Sequence, residues 1–188
     1  MQKKIPYIYY FIDDYNTDEL ANLEKNINLI FRNYKDNLKL NVIKDIQKFC
    51  KIYKRNFYLS NDIKLALKLG LNGVYIPAFN KQINFVSKYS LPKGFEIIGS
   101  AHNINEIRIK KLQGCSKIFL SPIFKTSKSK KFLSILGFNL TSLNQNHKFI
   151  ALGGINKKNY KKIKLTRSIG FAGISWIKKN GLKKLGRF

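Results

Sequence analysis

Phe149-Ile150-Ala151-Leu152-Gly153-Gly154-Ile155-Asn156 decides how this chain folds. Its apolar run is too short for a helix and ends in two glycines, after which Asn156 can cap a helix over Lys157–Ile163. One strand therefore leads into one helix. The same unit recurs in both directions. Short apolar or β-branched runs lie at Tyr7–Ile12, Asn28–Phe31, Asn56–Leu59, Gly73–Ile76, Phe95–Gly99, Lys117–Leu120 and Ile169–Ile174. Helical spacing lies between them. Thr17–Ile27 starts on a Thr followed by acidic residues, and Val42–Tyr53 puts Ile43, Ile46, Phe49 and Cys50 on one face. Ile63–Leu69, Ile104–Leu112 (after Asn103 as cap) and Trp176–Leu185 follow, with a weaker pattern over Lys81–Tyr89 after Asn80. Eight strands alternating with helices predict an α/β fold of one domain over 1–188, a compact (β/α)8 TIM barrel. At 188 residues the chain is short for that architecture, typically about 250, so its loops must be lean. An open doubly wound sheet is the competitor, but no G-x-G-x-x-G follows an early strand.

The chain carries 36 Lys and Arg against 10 Asp and Glu, a formal charge of +26. With 44% hydrophobic and 13% aromatic residues it has the means to bury a core, so the charge does not signal disorder. Only Arg32, Arg55, Arg108, Arg167 and Arg187 are arginines, the residue preferred for reading phosphates and guanines. Abundant Lys, Asn and Ile are what AT-rich codons encode, so the balance speaks against nucleic acid as the partner. No apolar run approaches the roughly 20 residues that cross a bilayer, and no export signal opens the sequence. Two cysteines, Cys50 and Cys115, make no disulfide framework; a reducing cytoplasm is the expectation. The charge is uneven. Eight of the ten carboxylates lie at or before Asp62, and none follows Glu106. Carboxylate bases and metal ligands must come from the early part, whereas the later part offers amides, hydroxyls and lysines suited to anions.

In a barrel the functional groups sit where strands end, with phosphate sites typically after the seventh and eighth strands. Gly153 and Gly154 end the seventh; Gly173-Ile174-Ser175 ends the eighth. Either pair of small residues can let backbone amides approach an anion, or simply turn the chain tightly. Asn61 and Asp62 end the third strand, where Asp62 can equally cap a helix. Ser100 and His102 end the fifth, and Ser121-Pro122-Ile123-Phe124-Lys125-Thr126 follows the sixth with Lys128 and Lys130 in its loop. Arg32 ends the second, where an inward guanidinium is costly without an anion. His147 precedes the seventh strand, on the opposite face, and reads as structural.

These stretches, in this order, resemble one family. Asn61-Asp62 with Leu65-Ala66-Leu67 and Gly73-Val74-Tyr75-Ile76 resembles its N-D, L-A-L and G-V-H-L run. Gly99-Ser100-Ala101-His102 is similar to its G-x-S-x-H stretch, the glycine one place closer to the serine, and Ser121–Thr126 to its G-P-x-F-x-T loop. With Ala151–Ile155 and Gly173-Ile174-Ser175, the chain resembles the thiamine phosphate synthase and thiazole tautomerase superfamily over Tyr7 to Ile177. The resemblance implies a transferase that couples hydroxymethylpyrimidine pyrophosphate to thiazole phosphate with Mg²⁺. It implies that Arg32, Asn61 and Ser100 handle the pyrophosphate and that Asp62 binds the metal. Thr126, Lys128 and Lys130, with the amides of Gly153, Gly154, Ile174, Ser175, Ile177 and Lys178, would hold the thiazole phosphate. Departures leave alternatives open. The family's second metal aspartate is Asn80 here, a neutral and poorer ligand. The lysine that should follow Arg32 in Q-x-R-x-K is displaced to Lys35, and the T-x-T-K loop reads Thr126-Ser127-Lys128-Ser129. A thiazole tautomerase with His102 as acid and base needs no metal pair; an inactive barrel holding a phosphorylated ligand or RNA needs no turnover.

Overall fold

A strand that is apolar on both faces belongs in a parallel sheet covered by helices. In the computed structural model, which describes residues 7–34, 40–127 and 129–173, eight such strands pair in sequence order and close into a barrel. They are β1 (Tyr7–Ile12), β2 (Ile27–Phe31), β3 (Phe57–Ser60), β4 (Gly73–Ile76), β5 (Glu96–Ala101), β6 (Lys117–Leu120), β7 (Lys148–Leu152) and β8 (Gly170–Gly173). Every ladder is parallel. Closure is made by β1 against β8, with Tyr7 opposite Gly170 and Tyr10 opposite Gly173. The expected barrel forms, and its strands depart from the sequence-based bounds only at their ends.

Period two divides each strand between two cores. Inward residues form one cluster that includes Tyr9, Phe11, Tyr58, Tyr75 and Phe119. Phe119 is its hub, with ring centroids of Tyr9, Phe11 and Tyr75 at 5.0, 5.8 and 5.8 Å. The outward residues, such as Ile8, Leu29 and Val74, join the helices in the larger cluster. The interior is packed with rings and is not a pore.

Five α-helices lie among the described residues: α1 (Thr17–Ala21), α2 (Leu40–Ile52), α3 (Ile63–Lys68), α4 (Ile104–Leu112) and α5 (Ser134–Leu143). Asp62 and Asn103 cap α3 and α4 through their side chains, and α2 buries the four residues expected of it. Three expectations are corrected. The α1 helix stops at Ala21, because the chain must already be extended at Ile27, and its cap is Asn16, which accepts from the Glu19 amide at 2.9 Å. Lys81–Tyr89 forms only a short 3-10 turn over Ile83–Phe85. Asn156 caps no α-helix: its side chain accepts from the Lys158 amide in a turn, and a 3-10 helix begins at Tyr160. The α5 helix has no counterpart among the expected elements. Leu136, Leu140 and Leu143 fall at helical spacing but on its exposed side, while Phe138 and Ser142 are buried, so the leucine stripe does not mark the face that packs on the barrel. The helix expected over Trp176–Leu185 lies outside the described residues. None of the described helices is long and apolar enough to cross a membrane.

The strand starts hold an ion pair between a buried lysine and a half-buried glutamate. Lys117, whose side chain is 7% exposed, bonds the carboxylate of Glu96, which also accepts from the Tyr58 hydroxyl at 2.6 Å. Burial pushes the Glu96 carboxyl up, but the hydrogen bonds from Lys117 and Tyr58 and the nearby ammonium groups outweigh it and hold it below the ordinary range. The resulting stability is present above the unfolded glutamate value, about 4.3, and is lost as pH falls through the lower folded value. Glu96→Ala leaves the Lys117 ammonium buried and unpaired, so it should lower unfolding free energy by about 3 kcal/mol. The Glu96→Gln/Lys117→Met double variant should lose far less. Equal losses in urea titrations would show that the pair is not what holds this end of the barrel.

Candidate active site

Because all strands are parallel and start together, their C-terminal ends form a single rim. Arg32 leaves β2 there, its amide still donating to the Ile12 carbonyl at 2.7 Å. Its guanidinium lies 4.9 Å from the centre of the Phe11 ring. No carboxylate forms an ion pair with it among the described residues. A cation held over an aromatic face, half-buried and without a countercharge, suits an anionic ligand.

Hydrogen bonds run from strand end to strand end. The Tyr34 and Ser60 hydroxyls meet at 3.0 Å, and the Tyr34 ring stands edge-on to Phe79 at 5.4 Å. Asn61 sits in the left-handed region (φ 60°), which asparagine tolerates better than most residues. Its amide donates to the Tyr75 carbonyl at 2.8 Å, while its side-chain oxygen accepts from the Asn80 side chain at 2.7 Å. The Tyr75 hydroxyl in turn donates to Ser100 at 2.8 Å, and burial pushes that phenol's ionisation far above its ordinary range. The Ser100 hydroxyl thus accepts from a permanent donor and keeps its own proton free for a ligand. Asp62 uses one carboxylate oxygen to cap α3, accepting from Leu65 at 2.9 Å.

Asn80 commits both ends of its amide to the protein. It donates to Asn61 and accepts from the Gln82 amide at 3.0 Å. Beneath it is Lys110 of α4, fully buried. Its ammonium donates to the Pro77 and Asn80 carbonyls and to Gln113, at 2.8, 2.7 and 2.8 Å. Burial lowers its pKa to about 8, against the opposing influence of Cys115 and Glu106. Among the described residues no three His, Cys, Asp or Glu side chains gather as a metal cluster.

His102 is half-exposed at the end of β5, and both its amide and its Nδ1 bond one oxygen of Glu106 at 2.8 Å. Thr126 shapes the loop after β6, its hydroxyl accepting from the Ser129 amide at 3.0 Å, and Lys130 is exposed nearby. Gly153 and Gly154 have φ of 94° and 72°. A Cβ at Gly154 would lie 2.5 Å from the Phe124 and Lys125 carbonyls, and one at Gly153 would lie 2.7 Å from Pro122. These glycines let the loops after β6 and β7 pack closely, and they do not open an α-helix. His147 lies at the opposite end, as expected, with its ring against Phe149. Lys128, Ile174, Ser175, Ile177 and Lys178 lie outside the described residues. Nothing in the sequence marks Lys110, Gln113, Tyr34 or Phe79 as part of the site; a lysine in so basic a chain reads as surface.

The geometry defines a (β/α)8-barrel protein that presents its polar side chains on the C-terminal rim, where such barrels carry their sites. Residues 20–177 match the family model for thiamine monophosphate synthase. The chain belongs to that family. It is 35% identical over 133 residues to a thiamine-phosphate synthase of Prochlorococcus marinus, covering 69% of this chain and 38% of the relative. A thiamine-phosphate synthase of Bacillus mycoides is 33% identical over 100 residues, covering 53% and 44%. The matched region thus spans less than half the length of these curated relatives. In fold the chain is similar to a thiamine phosphate pyrophosphorylase from Pyrococcus furiosus, with a TM-score of 0.74 at 16% identity over 94% of this chain and 92% of that one.

Asn61→Ala should cost about 1–2 kcal/mol of stability for the left-handed backbone, and Asn61→Gly distinctly less. Chemical unfolding of both variants checks this, and indistinguishable midpoints would contradict it.

Proposed function

We propose that this chain joins hydroxymethylpyrimidine pyrophosphate to thiazole phosphate, giving thiamine phosphate and pyrophosphate. The observation that carries the reading is the gathering of Arg32, Asn61 and Ser100 on one rim, with Asp62 and Thr126 alongside, in a chain of the thiamine monophosphate synthase family. Arg32 and the Asn61 and Ser100 side chains would bind the diphosphate of the pyrimidine substrate. The C–O bond to that diphosphate breaks with both electrons leaving on pyrophosphate, and the thiazole nitrogen closes a C–N bond onto the resulting carbocation. Cationic and polar groups aimed at the leaving group lower this barrier because they are already oriented when charge develops. Phe11 and Phe119 close the barrel beneath, so water cannot reach the cation from below. Thr126, Lys128 and Lys130, with the turn at Gly153 and Gly154, would hold the thiazole phosphate. The residues from Ile174 to Lys178 would complete that grip.

Mg²⁺ takes one or two carboxylates together with substrate phosphates and keeps several waters. The carboxylate of Asp62, one oxygen of which caps α3, would hold such an ion together with the substrate diphosphate. When bound it would neutralise charge on the departing pyrophosphate. The cytoplasm is the setting we infer, in keeping with two buried free cysteines whose thiols burial pushes up to about 12.

The His102–Glu106 pair favours a second reading, a thiazole tautomerase. The carboxylate orients the ring so that its other nitrogen could move a proton on a bound thiazole. The purified chain with both phosphorylated precursors should form thiamine phosphate only when Mg²⁺ is present. Asp62→Ala should abolish coupling, whereas His102→Ala should leave measurable activity. The reverse pattern would make the chain a tautomerase.

A further inference from the structure

Lys110 is a lysine with no exposed surface, yet it pairs with no carboxylate among the described residues. A buried ammonium needs its hydrogen bonds satisfied, and here all three protons go to acceptors around one loop: the Pro77 and Asn80 carbonyls and the Gln113 side chain. Gln113 doubles the grip, donating to the Asn80 and Gln82 carbonyls at 3.1 and 2.9 Å. The stem of Lys110 reaches the loop across Gly99 of β5. A Cβ at that position would lie 2.9 Å from Lys110 Cδ and 2.7 Å from Cys115 Sγ. Two departures from the family pattern, the displaced glycine and the neutral Asn80, therefore lie on either side of one side chain.

We propose that Lys110 is a positioning residue for the diphosphate end of the site, fixing the 77–82 loop so that Asn80 braces Asn61 and binds no metal. The Asn80 amide donates to Asn61, a bond that a carboxylate could not make. A divalent ion on the side chain of residue 80 would also lie close to an ammonium fixed on that residue's own carbonyl, in a setting with little water to screen the repulsion. A divalent ion at this rim would therefore be held at Asp62 and not at residue 80. The rim's β4 side is shaped by a cation belonging to the chain. This rests on the functional reading above.

The test uses the full chain, with Mn²⁺ replacing Mg²⁺ and inorganic pyrophosphate as the probe. Spin-resonance titration should count one Mn²⁺ per chain; Asp62→Ala should lose it and Asn80→Ala should keep it. Lys110→Met should weaken pyrophosphate binding about tenfold, as loss of a supporting contact typically does, with the Mn²⁺ count unchanged. KM for the pyrimidine substrate should rise in step while KM for the thiazole phosphate stays, a split that general loosening of the fold would not give. Should Lys110→Met fail to fold, Asn80→Ala must show the same tenfold loss. Two Mn²⁺ per chain, loss of Mn²⁺ in Asn80→Ala, or undiminished pyrophosphate binding in the folded variant would overturn the inference. A wild-type chain that neither binds pyrophosphate nor turns over would overturn the functional reading, and this inference with it.

Discussion

The ladder between β1 and β8, which sets Tyr7 beside Gly170, is the contact on which the rest of the molecule depends. Without it the sheet has two open edges and an inner face of large aromatic rings turned to water. With it, every strand acquires two parallel neighbours, and each strand's alternate side chains are assigned to the ring-filled interior or to the helix layer. Closure also brings eight strand ends to one rim. Residues as far apart in sequence as Arg32 and Thr126 come to stand on one rim that no local segment could build.

Charge inside the fold is placed with equal constraint. Among the described residues two lysines are buried, and each is satisfied differently. Lys117 near the strand starts meets a carboxylate, Glu96, with Tyr58 completing the group. Lys110, nearer the rim, meets neutral oxygens only. The first arrangement ties β5 to β6 and to β3. The second ties α4 to the loop after β4, and through Asn80 to the end of β3. In a chain with so few acids, neutral oxygens are the acceptors at hand for internal cations, as they are for the buried Arg55, which donates to the Leu23, Glu24 and Ile27 carbonyls.

The strands were legible because a run buried on both faces leaves a short apolar signature that neighbouring sequence cannot imitate. The bounds of β1, β4 and β6 are those expected from the sequence. The polar residues at the strand ends were legible for the same reason, since knowing where a strand stops tells which residues reach the rim. Helices were less so. The α5 helix keeps its i, i+4, i+7 leucines on its exposed side and buries Ser142, so its apolar stripe points away from the core and does not mark the buried face. Asn156 looked like a cap and makes only a turn, since cap residues and turn residues use the same side-chain hydrogen bonds.

The sequence by itself determined the succession of eight strands, the scarcity of acids after Asp62 and the residues available to each strand end, because periodicity and composition are local properties. Only the tertiary structure decided what those residues do to one another. It showed that Asn80 is bound to Asn61, that Arg32 rests on Phe11, and that a lysine indistinguishable from its solvated neighbours in sequence is enclosed beneath the rim. Whether a lysine is solvated or buried depends on which segments fold over it, and here those segments come from β4, β5 and α4.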